Sequence, residues 1–188
     1  MREIILTVKR TLNVPVECIE ISPNSFAGKG LDQIRAMKVW EGNRRNRLED
    51  VFEVKEEGGN PSDELTVRIV GDASRIRKIG CCMTEGSIAI EGNGGMYLGE
   101  QMSAGSITVS GDVSAWLGSR MKGGAIEVKG NAGDFVGSSY RGSTKGMKGG
   151  TITIQGNAGT EVGCWMRNGT IRIKGSSGMF PGMHMNNG

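Results

Sequence analysis

From about residue 65 onward, apolar and polar positions alternate in short bursts. Ile88/Ile90, Ile107/Val109, Ile126/Val128, Ile152/Ile154 and Ile171/Ile173 alternate with Ala89/Glu91, Thr108/Ser110, Glu127/Lys129, Thr153/Gln155 and Arg172/Lys174. This is the period of a strand with one buried face, not of a helix. Each burst closes on Gly, usually followed by Asp or Asn. A second apolar position follows at Leu98, Leu117, Val136 or Val162, then Gly and Met. No run is long enough for a helix, so the pattern predicts strand, corner, strand, corner.

The bursts belong to an internal repeat. Its units are SIAIEGNGGMYLGEQMSAG, SITVSGDVSAWLGSRMKGG, AIEVKGNAGDFVGSSYRGSTKGMKGG, TITIQGNAGTEVGCWMRNG and TIRIKGSSGMFPGMHMNNG, after a looser LTVRIVGDASRIRKIGCCMTEG. Gly92, Gly111, Gly130, Gly156 and Gly175 hold one slot. Gly99, Gly118, Gly137, Gly163 and Gly182 hold a second, and Met83, Met102, Met121, Met147, Met166 and Met185 a third. The step is 19 residues except where residues are inserted. Extra residues enter the first unit between Gly71 and Gly80 and the fourth between Gly137 and Met147, so the segment around Tyr140–Gly146 is expected to bulge from an otherwise regular stack.

Nineteen residues at about 3.3 Å each give a perimeter near 60 Å, suited to one coil of a parallel β-helix whose coils lie about 4.8 Å apart. The fold class is mainly all-β: a single-stranded right-handed parallel β-helix of Gly-rich repeats, about six coils over 65–188, its hand following the usual chirality of parallel crossovers. Ile, Val and Met should point inward and charged residues outward, with Asp72, Asn93, Asp112, Asn131 and Asn157 down one corner. Corner Gly is expected to supply positive φ. Tyr97, Trp116, Phe135 and Phe180 share a slot, interrupted by Glu161, and are read as packing.

Residues 1–64 break the pattern. EIILTV, VECIEI and LEDVFEV read as strands and LDQIRAMKV as a short helix, before a loop Glu57-Gly58-Gly59-Asn60-Pro61-Ser62-Asp63. An open coil exposes unpaired backbone groups and apolar surface, so this segment is expected to be a small α+β cap on the first coil.

Composition narrows the function. Gly is abundant, 32 residues against 4 Pro, yet 37% of the chain is hydrophobic, too much for a disordered linker. The net charge of +3 comes from 23 basic and 20 acidic residues scattered along the chain, which argues against a nucleic-acid arm or a polybasic membrane anchor. No stretch approaches the roughly 18 apolar residues of a membrane span. MREIILTVKR returns to charge too soon for a signal peptide, so a cytoplasmic protein is expected. The single His184 excludes multi-His metal centres and HExxH helices. Cys18, Cys81, Cys82 and Cys164 form no CxxC and are expected to be reduced.

Candidate chemistry is sparse. Gly28-Lys29-Gly30 lacks the rest of a phosphate loop, and His184 occupies a turn slot with no nucleophile elbow nearby. Cys81 and Cys164 share a slot four units apart, about 19 Å along the stack. Alternation should send the Cys81 and Cys82 side chains opposite ways, leaving structural thiols. No catalytic, cofactor-binding or metal-ligating residue is assigned. The densest basic cluster is Arg44, Arg45 and Arg47 after Trp40. It is either a solvated loop or a grip for a carboxylate or a partner's acidic face. With Tyr140, Arg141 and Lys145 of the inserted loop, these residues make up the candidate partner interface.

The unit G-x5-G-x2-G-x3-G, seen in Gly124/Gly130/Gly133/Gly137, Gly150/Gly156/Gly159/Gly163 and Gly169/Gly175/Gly178/Gly182, resembles the Gly-repeat β-helix shared by the carboxy-terminal domain of the glutamate synthase large subunit and the C subunit of formylmethanofuran dehydrogenase. VPVECIEISPNSFAGKGLDQI, VWEGNRRNRLEDVFEV and GDASRIRKIGCCMTEG resemble the leading part and first coil of that dehydrogenase component. The resemblance implies an archaeal-type complex, also found in some methylotrophic bacteria. It interconverts CO2 plus methanofuran with formylmethanofuran, the first step of methanogenesis from CO2 or its reverse. In that family subunits other than C carry the molybdenum or tungsten pterin and the iron–sulfur clusters, and an amidohydrolase-like subunit holds metal ions for formyl transfer. The C subunit is expected to hold no cofactor and to act as a noncatalytic scaffold, with methanofuran near an interface. The alternatives are a glutamate-synthase-type β-helix spacer and an independent enzyme with a cleft along a β-helix flank.

The sequence stops at Gly188, in the slot of Gly169, where a further unit would begin. This leads to the expectation that the natural chain continues or a partner covers the end, and that the 188-residue chain self-associates there.

Overall fold

A computed structural model describes residues 2–59 and 64–187. The fold is mainly β. Strands β1 (Arg2–Val8), β5 (Phe52–Glu57), β6 (Leu65–Val70), β8 (Ser87–Glu91), β9 (Ser106–Val109), β10 (Ala125–Val128), β11 (Thr151–Ile154) and β12 (Thr170–Ile173) form one sheet in the order β12-β11-β10-β9-β8-β6-β1-β5. Every pair in it is parallel except β1 with β5. Each repeat strand lies beside the strand one repeat on, in register: Ile88 opposite Ile107, Ile107 opposite Ile126, Ile126 opposite Ile152. Single parallel bridges join Ala73, Gly94, Val113, Ala132, Ala158 and Ser177 in a second ladder. The repeats therefore stack coil upon coil, and the insertion before β11 leaves the register intact.

The inward set follows the alternation. Ile88, Ile90, Ile107, Val109, Ile126, Val128, Ile152 and Ile154 are buried, as are Met83, Met102, Met121, Met147 and Met166. In the last coil Ile171 and Ile173 are half-buried, and Met179, Phe180 and Met185 are exposed. The expectation attached to Gly188 falls outside the described residues, as does the Asn60–Asp63 part of the expected loop.

At the Asx corner the side chains bind the coil that follows. Asn93 Oδ1 accepts from Asp112 N at 2.9 Å, Asp112 Oδ1 from Asn131 N at 2.7 Å, Asn131 Oδ1 from Asn157 N at 2.9 Å and Asn157 Oδ1 from Ser176 N at 2.8 Å. Each bond contributes about 1 kcal/mol net. The two glycine ladders differ in kind. Gly99, Gly118, Gly137, Gly163 and Gly182 have φ between +59° and +68°, as expected of corner Gly. In the other ladder only Gly92 has positive φ. Gly130 and Gly175 are small because a Cβ would come 2.7 Å from the carbonyl oxygen of Gly111 or Gly156 in the preceding coil. The expectation of positive φ at every corner is therefore wrong for this ladder: there, close backbone stacking excludes the side chain.

The amino-terminal region departs from several expected elements. EIILTV is strand β1, but only Val16–Glu17 of VECIEI is strand (β2); the chain then turns, with Ile21 N donating to Cys18 O at 3.2 Å. Ser22 opens helix α1 (Pro23–Phe26), accepting from Ser25 N, with Pro at the first position. Helix α2 is only Leu31–Arg35; Lys38–Glu41 becomes strand β3, because it pairs with β2 on one side and with Arg44–Arg47 on the other. In LEDVFEV the first four residues form helix α3 (Leu48–Val51), since the Asp50 carboxylate accepts from Arg47 N at 2.7 Å. Arg44–Arg47 is strand β4, antiparallel to β3 across Gly42 (φ +57°), and so not a loop. Strand β7 (Ile76–Arg77) lies in the first coil, and the second sheet runs β4-β3-β2-β7.

β1 joins the amino-terminal region to the repeats through six register pairs with β6, from Arg2–Leu65 to Thr7–Val70. Buried Arg2 links three pieces of chain. Its Nε meets Glu56 at 2.6 Å, and its guanidinium donates to Lys29 O at 2.6 Å. Ile4, Leu6, Phe26, Ile34, Leu48 and Phe52 share one apolar core with the Ile and Met ladders.

Candidate functional site

Two surfaces carry the residues singled out from sequence. On the first, β3 and β4 place Trp40 opposite Arg45, and the Arg45 guanidinium sits 5.8 Å from the centre of the indole ring. This cation–π pair borders a groove of about 430 Å³ that also takes in Glu17, Ile19, Lys29 and Met37. Trp40 is half exposed although apolar, with Arg44, Arg45 and Arg47 exposed beside it. Their environments differ. Arg47 pairs with Glu49 at 3.1 Å, while neighbouring Glu41 is held by Arg10 at 2.7 and 2.8 Å and by Asn46 at 2.8 Å.

The second surface is built on the aromatic slot. Lys78, Tyr97, Trp116, Phe135, Glu161 and Phe180 all have φ between +53° and +67°, a left-handed conformation unusual for large side chains. Tyr97 and Trp116 stack at 5.9 Å and Trp116 and Phe135 at 4.4 Å. The inserted loop folds back over this ladder. Tyr140 meets Tyr97 and Trp116 edge-on at 5.9 and 5.5 Å, and Arg120 lies 5.6 Å from the Tyr140 ring. Arg141 lies 5.6 Å from the Phe135 ring. The Tyr140 hydroxyl donates to the carboxylate of buried Glu100. Burial, then the bond to Glu100, raises the phenol's pKa above its ordinary value. Lys145 is exposed at the loop's end, where its backbone N–H donates to Ser143 Oγ at 3.3 Å.

The loop, Glu161, Trp165 and His184 enclose a hollow of about 130 Å³. The His184 ring stacks on Trp165 at 4.3 Å. Tyr140 and Arg141 thus come together with Trp116 and Phe135, and Trp40 with Arg45. Sequence reasoning misses Glu100, Arg120 and the Trp165–His184 pair. A signal exists for Glu100, the one charged residue in a slot that otherwise holds Cys81, Ser119, Ser138, Cys164 and Met183.

The cysteines correct one expectation. All four are free, and Cys18 and Cys164 are buried. Cys81 and Cys82 do not diverge: their sulfurs lie 3.7 Å apart. Strand alternation does not apply, because Cys82 has φ +56°. Among the described residues no three His, Cys, Asp or Glu side chains gather to hold a metal, and no helix is long and apolar enough to cross a membrane.

These features describe a mainly β protein of stacked Gly-rich coils whose flanks present aromatic and cationic side chains. No family model matches the chain. Its curated relatives are C subunits of formylmethanofuran dehydrogenases, and the resemblance seen in the motifs is real. The C subunit of the molybdenum-containing formylmethanofuran dehydrogenase 1 of Methanosarcina barkeri is 43% identical over 98 residues, 52% of this chain and 33% of the relative. The C subunit of the tungsten-containing formylmethanofuran dehydrogenase 2 of Methanothermobacter thermautotrophicus is 47% identical over 99 residues, 53% of this chain and 37% of the relative. The match thus spans about a third of each relative's length. Among solved structures, a chain of the formyltransferase/hydrolase complex of Methylorubrum extorquens, in complex with methylofuran, superimposes with a TM-score of 0.81. It is 28% identical, over 98% of this chain and 77% of that chain.

Proposed function

We propose that this chain is a noncatalytic scaffold subunit of a formylmethanofuran dehydrogenase-type complex, in the cytoplasm, whose partners reduce CO2 and place it as a formyl group on methanofuran, or run the reverse. The observation that supports this reading is the joint likeness, in sequence to the C subunits of such dehydrogenases and in fold to a chain of the formyltransferase/hydrolase complex. In this reading the coils form a right-handed parallel β-helix over 65–188, and 1–64 cap it. Right-handedness accords with the chirality of parallel crossovers.

The chemistry of the chain suits a support. Each coil contacts its neighbours along the stack, and the inward Ile and Met ladders are committed to packing. The molybdenum or tungsten pterin, the iron–sulfur clusters and the amidohydrolase-type metal ions are assigned to partner subunits. Trp40 with Arg44, Arg45 and Arg47, and Tyr140, Arg141 and Lys145 of the inserted loop, are assigned to partner contacts. Exposed aromatic and guanidinium groups supply much of the binding energy at protein interfaces.

Affinity purification of the tagged chain from its own cells tests the proposal. A pterin-binding subunit and an amidohydrolase-like subunit should copurify in fixed ratio. Arg44→Glu/Arg45→Glu and Arg141→Glu/Lys145→Glu should each weaken assembly, and a pair of reversals that leaves assembly intact removes its surface from the interface. Stoichiometric molybdenum, tungsten or iron in the purified lone chain, or turnover by it, would overturn the scaffold reading.

A further inference from the structure

The Cys81–Cys82 pair is independent of that reading. The turn carrying it is braced on both sides: Cys81 N donates to Lys78 O at 3.1 Å, Cys82 N to Glu100 O at 2.8 Å, Gly80 N to Ile21 O at 2.8 Å, and Thr84 N to Asn24 Oδ1 at 3.3 Å. The left-handed conformation of Cys82 belongs to the coil, since Gln101, Arg120, Trp165 and His184 adopt it in the equivalent slot at φ 56° to 60°. The dithiol is thus held by the backbone and needs no bond between the sulfurs. Cys82 is exposed and Cys81 partly so, and the pair therefore opens to solvent.

The spacing distinguishes two chemistries. A disulfide needs its sulfurs at about 2.05 Å, which would require this braced turn to close. A tetrahedral cation with thiolate bonds of about 2.3 Å holds two sulfurs about 3.8 Å apart. The observed separation is 3.7 Å. We propose that Cys81 and Cys82 form a two-thiolate chelating site for a soft divalent cation of the zinc and cadmium class, its other positions filled by water or a group from outside the chain.

Binding breaks two S–H bonds, forms two metal–sulfur bonds and releases two protons to solvent, with no change of oxidation state. Burial and the neighbouring Cys82 push the Cys81 thiol up to about 12, so the cation competes with a proton for Cys81. Lys78 favours the Cys81 thiolate, whereas Glu100 opposes it.

The test uses the reduced 188-residue chain titrated with Cd²⁺ at several pH values, followed by the thiolate-to-metal charge-transfer absorption and by calorimetry. One cation per chain should bind, and the logarithm of the affinity should rise with a slope approaching about two per pH unit below the thiol range. Cys82→Ser, at an exposed position, should lower the affinity at least tenfold while leaving the circular dichroism unchanged. Cys81→Ser should do the same, and Cys164→Ser should leave the affinity unchanged. Full affinity in Cys82→Ser, a pH-independent affinity, or binding lost only with Cys164 would overturn the site.

Discussion

Tyr140 donates its hydroxyl to Glu100, 40 residues earlier and two coils back, and so ties the inserted loop to the body of the stack. Glu100 is only 4% exposed, and without this donor its carboxylate would be left poorly satisfied.

Replacing Tyr140 by Phe keeps the ring against Trp116 and removes the hydroxyl. Stability should fall by about 1.5–3 kcal/mol, the range for a hydrogen bond to a charged group. Chemical denaturation of Tyr140→Phe, Glu100→Gln and the double variant checks this. The two losses should be less than additive, and additive losses would mean that the two groups do not interact.

The methionine ladder should respond as a packed core. Met121→Ala should cost about 2–5 kcal/mol through the cavity it leaves. Met121→Asp should unfold the chain, since Met121 is fully buried and an unpaired charge there has no partner. Loss of cooperative thermal melting is the readout.

Glycine substitutions should separate the coil ladders from the rest of the chain. In Gly130→Ala the new Cβ would stand 2.7 Å from Gly111 O, so neighbouring coils must part, with a marked fall in melting temperature. Gly30→Ala meets nothing within 4 Å and lacks positive φ, so it should change stability by no more than about 1 kcal/mol.

Alkaline pH should destabilise the chain. Burial raises the Cys18 thiol well above its ordinary value of 9.0, so the unfolded chain loses that proton first. Stability contributed by the protonated thiol is fully present below pH 9.0 and is lost progressively as pH rises toward the folded value. Cys18→Ala should flatten the decline, measured as unfolding free energy between neutral pH and pH 10.5, after allowing for its own cavity cost. An unchanged slope would show that Cys18 does not titrate differently on folding.

The repeat, its register and its buried side can be read from the residues alone. Period-two alternation decides locally which residues face inward, and stacking units of one length brings identical slots together. That is why the Ile and Met ladders and the Asx corner were legible, and the inserted loop as an insertion, though not its return over the aromatic ladder. Residues 2–59 were less so, because α3 and β4 depend on a cap at Asp50 and on pairing with β3 that short segments do not announce. The left-handed backbone at Tyr97, Trp116, Phe135 and Cys82, the Tyr140–Glu100 bond and the junction of β1 with β6 emerge only in the folded chain. The cause is range: a corner's conformation is imposed by the coils on either side, and these contacts join residues from tens of positions apart. Alternation therefore mispredicted the cysteine pair, whose sulfurs the turn brings to 3.7 Å.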